Sequence, residues 1–163
     1  MEKSQLSSII GMQLKDIIHV GVIDFEENIG EITTFHTHLF LEVNKLFLKL
    51  ESVEQYSKLK VSFNSDVDFS FDFDIEEDMS FCKYSAANIY FDSTLAENYI
   101  SSVALYEPLF YDKSLACDAM EVVLDNNQCV FFDPKNLFGI KVGDSKLKDV
   151  FLMHNNINSI INL

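Results

Sequence analysis

KLKVSFNSDVDFSFDFDIEED, residues 58–78, is the stretch whose alternation decides the fold class. Leu59, Val61 and Phe63 alternate with Lys58, Lys60, Ser62 and Asn64, and Val67, Phe69, Phe71, Phe73 and Ile75 with Asp66, Asp68, Ser70, Asp72, Asp74 and Glu76. A period of two puts successive side chains on opposite faces of an extended backbone, so both runs read as strands with one apolar and one polar face. Both apolar sets occupy odd positions. A three-residue turn at Asn64, Ser65 and Asp66 therefore sets Phe63 opposite Val67 and keeps the two apolar faces together. Asp66 suits the left-handed conformation such a loop asks of its last residue. The expectation is a hairpin over 59–75, with Leu59, Val61, Phe63, Val67, Phe69, Phe71 and Phe73 facing one core.

Working outward, the same kind of signal recurs. Residues 14–25 are rich in Ile and Val, and 32–43 and 46–50 read as a hairpin around the two-residue turn Asn44-Lys45. Residues 119–124 and 128–132 form a second hairpin broken at Asp125, Asn126 and Asn127 and stopped by Pro134. Residues 87–91 and 138–142 read as further short strands, and 95–105 and 146–153 fit helix or strand equally. Ser4, followed by Leu6, Ile9 and Ile10 and then Gly11, predicts a short capped helix. Capping-box spacing at Ser52–Gln55 predicts a brief helical turn through Tyr56, and Thr94–Glu97 repeats it. With no repeat, linker or low-complexity tract, residues 1–163 read as a single globular domain. Its class is α+β, mostly β: an antiparallel sheet, rolled or half-barrel, with one or two short helices.

Composition narrows the function. Twelve basic residues, all lysine, face 26 acidic ones, for a formal charge of −14 over 163 residues. Phosphate neutralisation needs clustered cations, so nucleic acid is excluded as a partner, and without arginine there is no bidentate clamp or arginine finger. At 48% apolar the chain can bury a core, yet no stretch approaches the roughly 18 apolar residues of a membrane helix. The first fifteen residues are too polar for a signal peptide, so the expected compartment is the cytoplasm and no membrane partner is expected. Cys82, Cys117 and Cys129 are odd in number and carry no C-x-x-C spacing; in that compartment the default is small buried hydrophobes with free thiols, and the count leaves one bridged pair open.

Two constellations bear on chemistry. His36 and His38 share one face of a strand at a spacing some metal sites use, but no third ligand is marked. A small metal-dependent enzyme or binding protein using them is the alternative reading. Asp66, Asp68, Asp72, Asp74, Glu76, Glu77 and Asp78 crowd carboxylates into thirteen residues without the glycine of a calcium loop. A row in one environment offers no contrasted acid and base, and like charges on one strand face repel. Such a stripe fits a basic partner better than it fits catalysis. No catalytic residue, cofactor or metal ligand is assigned.

The compact β-rich chain, its acidic stripe and the hairpin CDAMEVVLDNNQCVFFDP at 117–134, followed by Phe138-Gly139-Ile140, resemble the immunity proteins of bacterial toxin and contact-dependent growth inhibition systems. The Lys, Asn, Ile and Phe bias also looks like A·T-rich coding, as in mobile toxin cassettes. The resemblance implies a stoichiometric inhibitor without catalysis. Its partner would be a cognate toxin domain, a nuclease with a basic cleft; the resemblance transfers no individual residues, and the seven carboxylates are the candidate contact residues on the charge argument alone.

Overall fold

The structure, a computed structural model, describes residues 3–26, 29–69, 74–92, 94, 98–111 and 114–163. Among them the chain runs α1 (Lys3–Ser7), β1 (Leu14–Glu26), β2 (Ile29–Val43), β3 (Leu46–Val53), β4 (Lys58–Asn64), β5 (Met79–Ser85) and α2 (Ala87–Tyr90). It continues with β6 (Ile100–Tyr106), β7 (Leu109–Phe110), β8 (Leu115–Cys117), β9 (Ala119–Leu124), β10 (Cys129–Asp133), β11 (Lys141–Gly143), α3 (Ser145–His154) and β12 (Ile160–Asn162). All strand pairs are antiparallel, in two sheets ordered β5-β1-β2-β3-β4-β8-β7 and β11-β10-β9-β6-β12. The class is α+β, mostly β, with neither sheet closed into a barrel. The described helices number three rather than one or two.

One apolar core lies between the sheets. Leu39, Leu41, Leu48, Leu50, Leu59 and Val61 of the larger sheet meet Val103, Leu105, Met120, Val122, Val130 and Phe132 of the smaller. These are alternate positions on each strand, as a two-layer antiparallel packing requires. The chain changes sheets at Asp118, between β8 and β9, where Lys58 and Lys135 both hold its carboxylate and its N–H donates to the Tyr106 carbonyl (2.7 Å). Beyond the smaller sheet, α3 covers the outer face. Asp144 caps it by accepting from the Lys146 N–H (2.9 Å), and Phe151 seals Tyr106 and Phe131.

Several expected elements appear where the sequence places them. Val43 pairs Leu46 across Asn44-Lys45, with Asn44 left-handed at φ 53°, and β9 and β10 form the second hairpin. The hairpin over 59–75 does not form. β4 pairs β3 and β8, while residues 67–69 and 74–76 lie in no strand. Leu59 and Val61 enter the inter-sheet core and Phe63 packs at its margin. Val67 and Phe69 are buried in a different cluster, with Ile18, Val20 and Phe40 on the opposite face of the larger sheet. Phe71 and Phe73 lie outside the described residues. At 67–69 the alternation thus reports burial of every second side chain as the chain crosses an apolar sheet face, without a ladder beside it. Ile75, the last apolar position of the run, is exposed.

Three smaller corrections have local causes. Residues 87–90 form one helical turn, α2, rather than a strand, because β5 ends at Ser85 and the chain must leave the sheet edge. The capping-box spacing at Ser52–Gln55 gives no right-handed turn: Glu54, Gln55 and Tyr56 are successively left-handed, closing the β3–β4 hairpin. Of residues 138–142 only the end joins β11, and Leu137 and Phe138 stand in solvent. In the other repeat of that spacing, residues 95–97 lie outside the described residues. No described helix is long and apolar enough to cross a membrane.

Candidate partner-binding surface

The acidic segment links β4 to β5. Its Asp66 carboxylate accepts from the Val67 N–H (2.7 Å), a tight local turn that drops Val67 and then Phe69 into the outer-face cluster. The Phe69 ring meets Phe35 and Phe81 edge-on at centroid distances of 6.1 and 5.4 Å. Asp66, Asp68, Asp74, Glu76, Glu77 and Asp78 are all exposed, and Asp72 lies outside the described residues. They do not make the straight strand-spaced row that the alternation suggests. Asp66 precedes the two buried anchors and Asp68 separates them, whereas 74–78 turn into β5 through the Met79 N–H on the Glu76 carbonyl (3.1 Å). The Phe25 N–H then donates to the Asp78 carbonyl (3.3 Å), which ties the segment to the end of β1.

The two histidines sit in a bulge. β1 and β2 are in register at His19↔Leu39 and again at Gly21↔Thr34, so residues 35–38 of β2 oppose Val20 alone. Glycine is needed on both sides. A Cβ at Gly21 would overlap the Thr33 carbonyl oxygen, and one at Gly139 the His36 carbonyl oxygen. His36 is exposed. His38 is buried, its Nδ1 2.9 Å from Thr37 Oγ1 and its Nε2 3.7 Å from Glu51 Oε1. Both nitrogens of His38 therefore face protein groups. Among the described residues no group of three His, Cys, Asp or Glu side chains converges as a metal site would. His19, buried behind the bulge, hydrogen-bonds Tyr90 Oη through Nε2 (2.9 Å) and stacks on the Tyr84 ring. Burial, and then the His36 imidazole, hold its pKa below the usual value.

Glu51 is the most perturbed carboxyl at this bulge. The facing His38 holds it at about 2, against the opposing effect of burial, and Lys60 adds a hydrogen bond at 3.0 Å. A depressed folded-state pKa stabilises the fold above the unfolded value and ceases to do so as pH falls through the folded one. The contribution is therefore complete above about pH 4.5 and disappears toward pH 2. Glu51→Gln is expected to lower unfolding free energy near pH 6 by on the order of 2 kcal/mol and to matter little near pH 2. Denaturant titrations of both proteins at the two pH values check this.

Sequence reasoning missed a second polar cluster. Glu121, buried on the outer face of the smaller sheet, accepts from Tyr106 Oη (3.1 Å), Cys129 Sγ (3.1 Å) and Lys148 Nζ (2.6 Å). Burial works to raise this carboxyl, and the three donors, Lys148 foremost, hold it below the usual range. Only the acidic break in the apolar run of β9 hints at it. With every donor committed, the cluster pins α3 to the sheet.

All three cysteines are free. Burial pushes the thiols of Cys82 and Cys117 up, and that of Cys129, beside Glu121, to about 12. Denatured, unreduced protein is expected to titrate as three sulfhydryls, and the native protein to react slowly, since the thiolate is the reactive form. A single titratable thiol would mean a disulfide the structure does not contain.

The clefts are shallow in chemistry. One of 390 Å³ lies between α1 and the β2–β3 and β4 ends, lined by Ser4, Gln5, Ser8, Leu46 and Phe63. Another, of 240 Å³, lies between the left-handed turn at Tyr56 and the loop at Lys135–Leu137, where Lys135 is committed to Asp118 and Asn155. Neither gathers an acid and a base. No protein-family model matches the chain, and no curated protein or solved structure shows significant similarity to it.

Proposed function

We propose that this chain is a non-catalytic inhibitor that binds and neutralises a cognate basic toxin domain, as immunity proteins do, by covering a cationic cleft such as that of a nuclease. One observation carries the reading. Val67 and Phe69 root the acidic segment in a buried cluster while Asp66, Asp68, Asp74, Glu76, Glu77 and Asp78 stay in solvent, on a chain of net charge −14. Carboxylates held in the open on an anchored backbone repel one another, and a cationic partner relieves that repulsion. Each ion pair at about 4 Å near a surface has a Coulomb energy of roughly 4 kcal/mol before desolvation, so the net gain per pair is far smaller. The larger effect is steering, which raises association rates by about 10–1000-fold at low ionic strength.

The test is co-expression with the product of the adjacent gene, scored for rescue of growth and for co-purification. No rescue and no complex overturns the proposal. Where a complex forms, neutralising Asp74, Glu76, Glu77 and Asp78 together (to Asn, Gln, Gln and Asn) should leave the melting temperature unchanged or slightly raised. Association at low salt should slow about tenfold or more, and its salt dependence should flatten. An unchanged rate in stopped-flow mixing would place these carboxylates outside the contact.

A further inference from the structure

The distal halves of β1 and β2 form an arm. From Gly21↔Thr34 to Glu26↔Ile29 they pair with each other, β5 flanks β1 from Met79 onward, and β3 meets β2 only from His38. Residues 29–34 are thus a sheet edge with no strand beside them among the described residues. Directly opposed residues of an antiparallel pair share a face, so Ile23 and Ile32 lie beside Phe25 and Gly30 on one side of the arm. Gly30 leaves room for its neighbours to close over it: a Cβ there would lie 3.0 Å from Ile23 Cδ1 and 3.3 Å from Phe25 Cε1. The result is a continuous apolar surface on which Phe25 and Ile32 are 52% and 53% exposed.

Bare apolar edges invite pairing, and proteins usually blunt them with lysine. Here the stretches 16–44 and 61–82 contain no lysine. Asp24 and Glu31, opposed to each other, lie on the other side of the arm, and at the margin of the apolar side the Phe25 N–H meets the Asp78 carbonyl where the exposed segment Asp74, Glu76, Glu77 and Asp78 turns into β5. An exposed apolar surface with an acidic segment at its margin has the anatomy of a protein-binding patch. Charge decides the occupant. A second copy would set carboxylates against carboxylates, which repel, whereas a cationic surface is complementary.

We infer that the arm is the docking surface for a cationic protein, with Ile23, Phe25 and Ile32 as its apolar anchor. This rests on the inhibitor reading above and names the surface that would perform it. The probe is a synthetic strand peptide alternating lysine with leucine, compared with peptides alternating lysine with serine and glutamate with leucine. The lysine–leucine peptide should slow amide exchange across 21–26 and 29–34, and the other two should bind at least tenfold more weakly. Phe25→Ser with Ile32→Ser should weaken the lysine–leucine peptide at least tenfold without lowering the melting temperature, because both side chains are already half in water. Protection elsewhere, equal binding of the three peptides, unchanged affinity of the double variant, or a dimer buried through the arm in sedimentation would each overturn the inference. The rescue assay separates it from the parent reading. If the double variant rescues growth as well as wild type, the arm is not the docking surface and the inhibitor reading stands. If the peptide maps to the arm but wild-type chain gives no rescue, the inhibitor reading falls and the arm serves another basic partner.

Discussion

Gly139→Ala is expected to destabilise the protein by roughly 3 kcal/mol or more, lowering its melting temperature by about 6–12 °C. Two effects add. The residue sits at φ +102°, where an L side chain is strained by about 1–3 kcal/mol. The new Cβ would also overlap the carbonyl oxygen of His36, a backbone atom that cannot swing aside. The loop must lift, which breaks the Ile140 N–H···O=C hydrogen bond to His36 (2.7 Å) and loosens Ile140 in the inter-sheet core. Gly30→Ala is the internal control. There the nearest atoms are the flexible ends of Ile23 and Phe25, so a change within about 1 kcal/mol is expected. Equal melting temperatures for the two variants would show that the loop does not abut the histidine bulge.

Phe131→Ala is expected to cost about 3–5 kcal/mol, the range for a large aromatic side chain removed from a filled interior. Phe131 is fully buried, edge-on to Tyr106 with centroids 5.6 Å apart and 5.4 Å from the Phe151 ring. Its loss leaves a cavity beneath α3, so amide exchange in 145–154 should quicken beyond what the global change in stability accounts for. Phe138→Ala, at a ring 79% exposed, should change the denaturant midpoint hardly at all. Similar midpoints for the two variants would contradict the register of β10, which turns Phe131 and Phe132 to opposite faces.

The strands that proved legible are those whose two faces differ and whose partner lies next in sequence. Val43↔Leu46 and the β9–β10 hairpin close over a few residues, so turn chemistry and alternation together define them. Alternation misled at 67–69, where the same period of two describes a chain lying across the outer face of a sheet. Burying every second side chain needs an apolar surface beneath; it does not need a neighbouring strand. The bulge at 35–38 was illegible because its extra residues exist only relative to β1, about fifteen positions away. Glu121 was likewise unreadable: its donors arrive from Tyr106, Cys129 and Lys148, on three other elements.

By itself the sequence determined the mostly β class, the charge of −14, the carboxylates of 66–78 and the absence of lysine from 16–44 and 61–82. These are properties of composition and of nearest neighbours along the chain. Only the tertiary structure decided that β5 pairs with β1 rather than with β4, and so that Asp78, at the end of the acidic segment, comes to rest beside Phe25. That pairing is a competition between sheet edges far apart in sequence. It is settled by which strands already occupy the centre of the sheet, β3 and β8 having taken both sides of β4, and no local pattern carries that information.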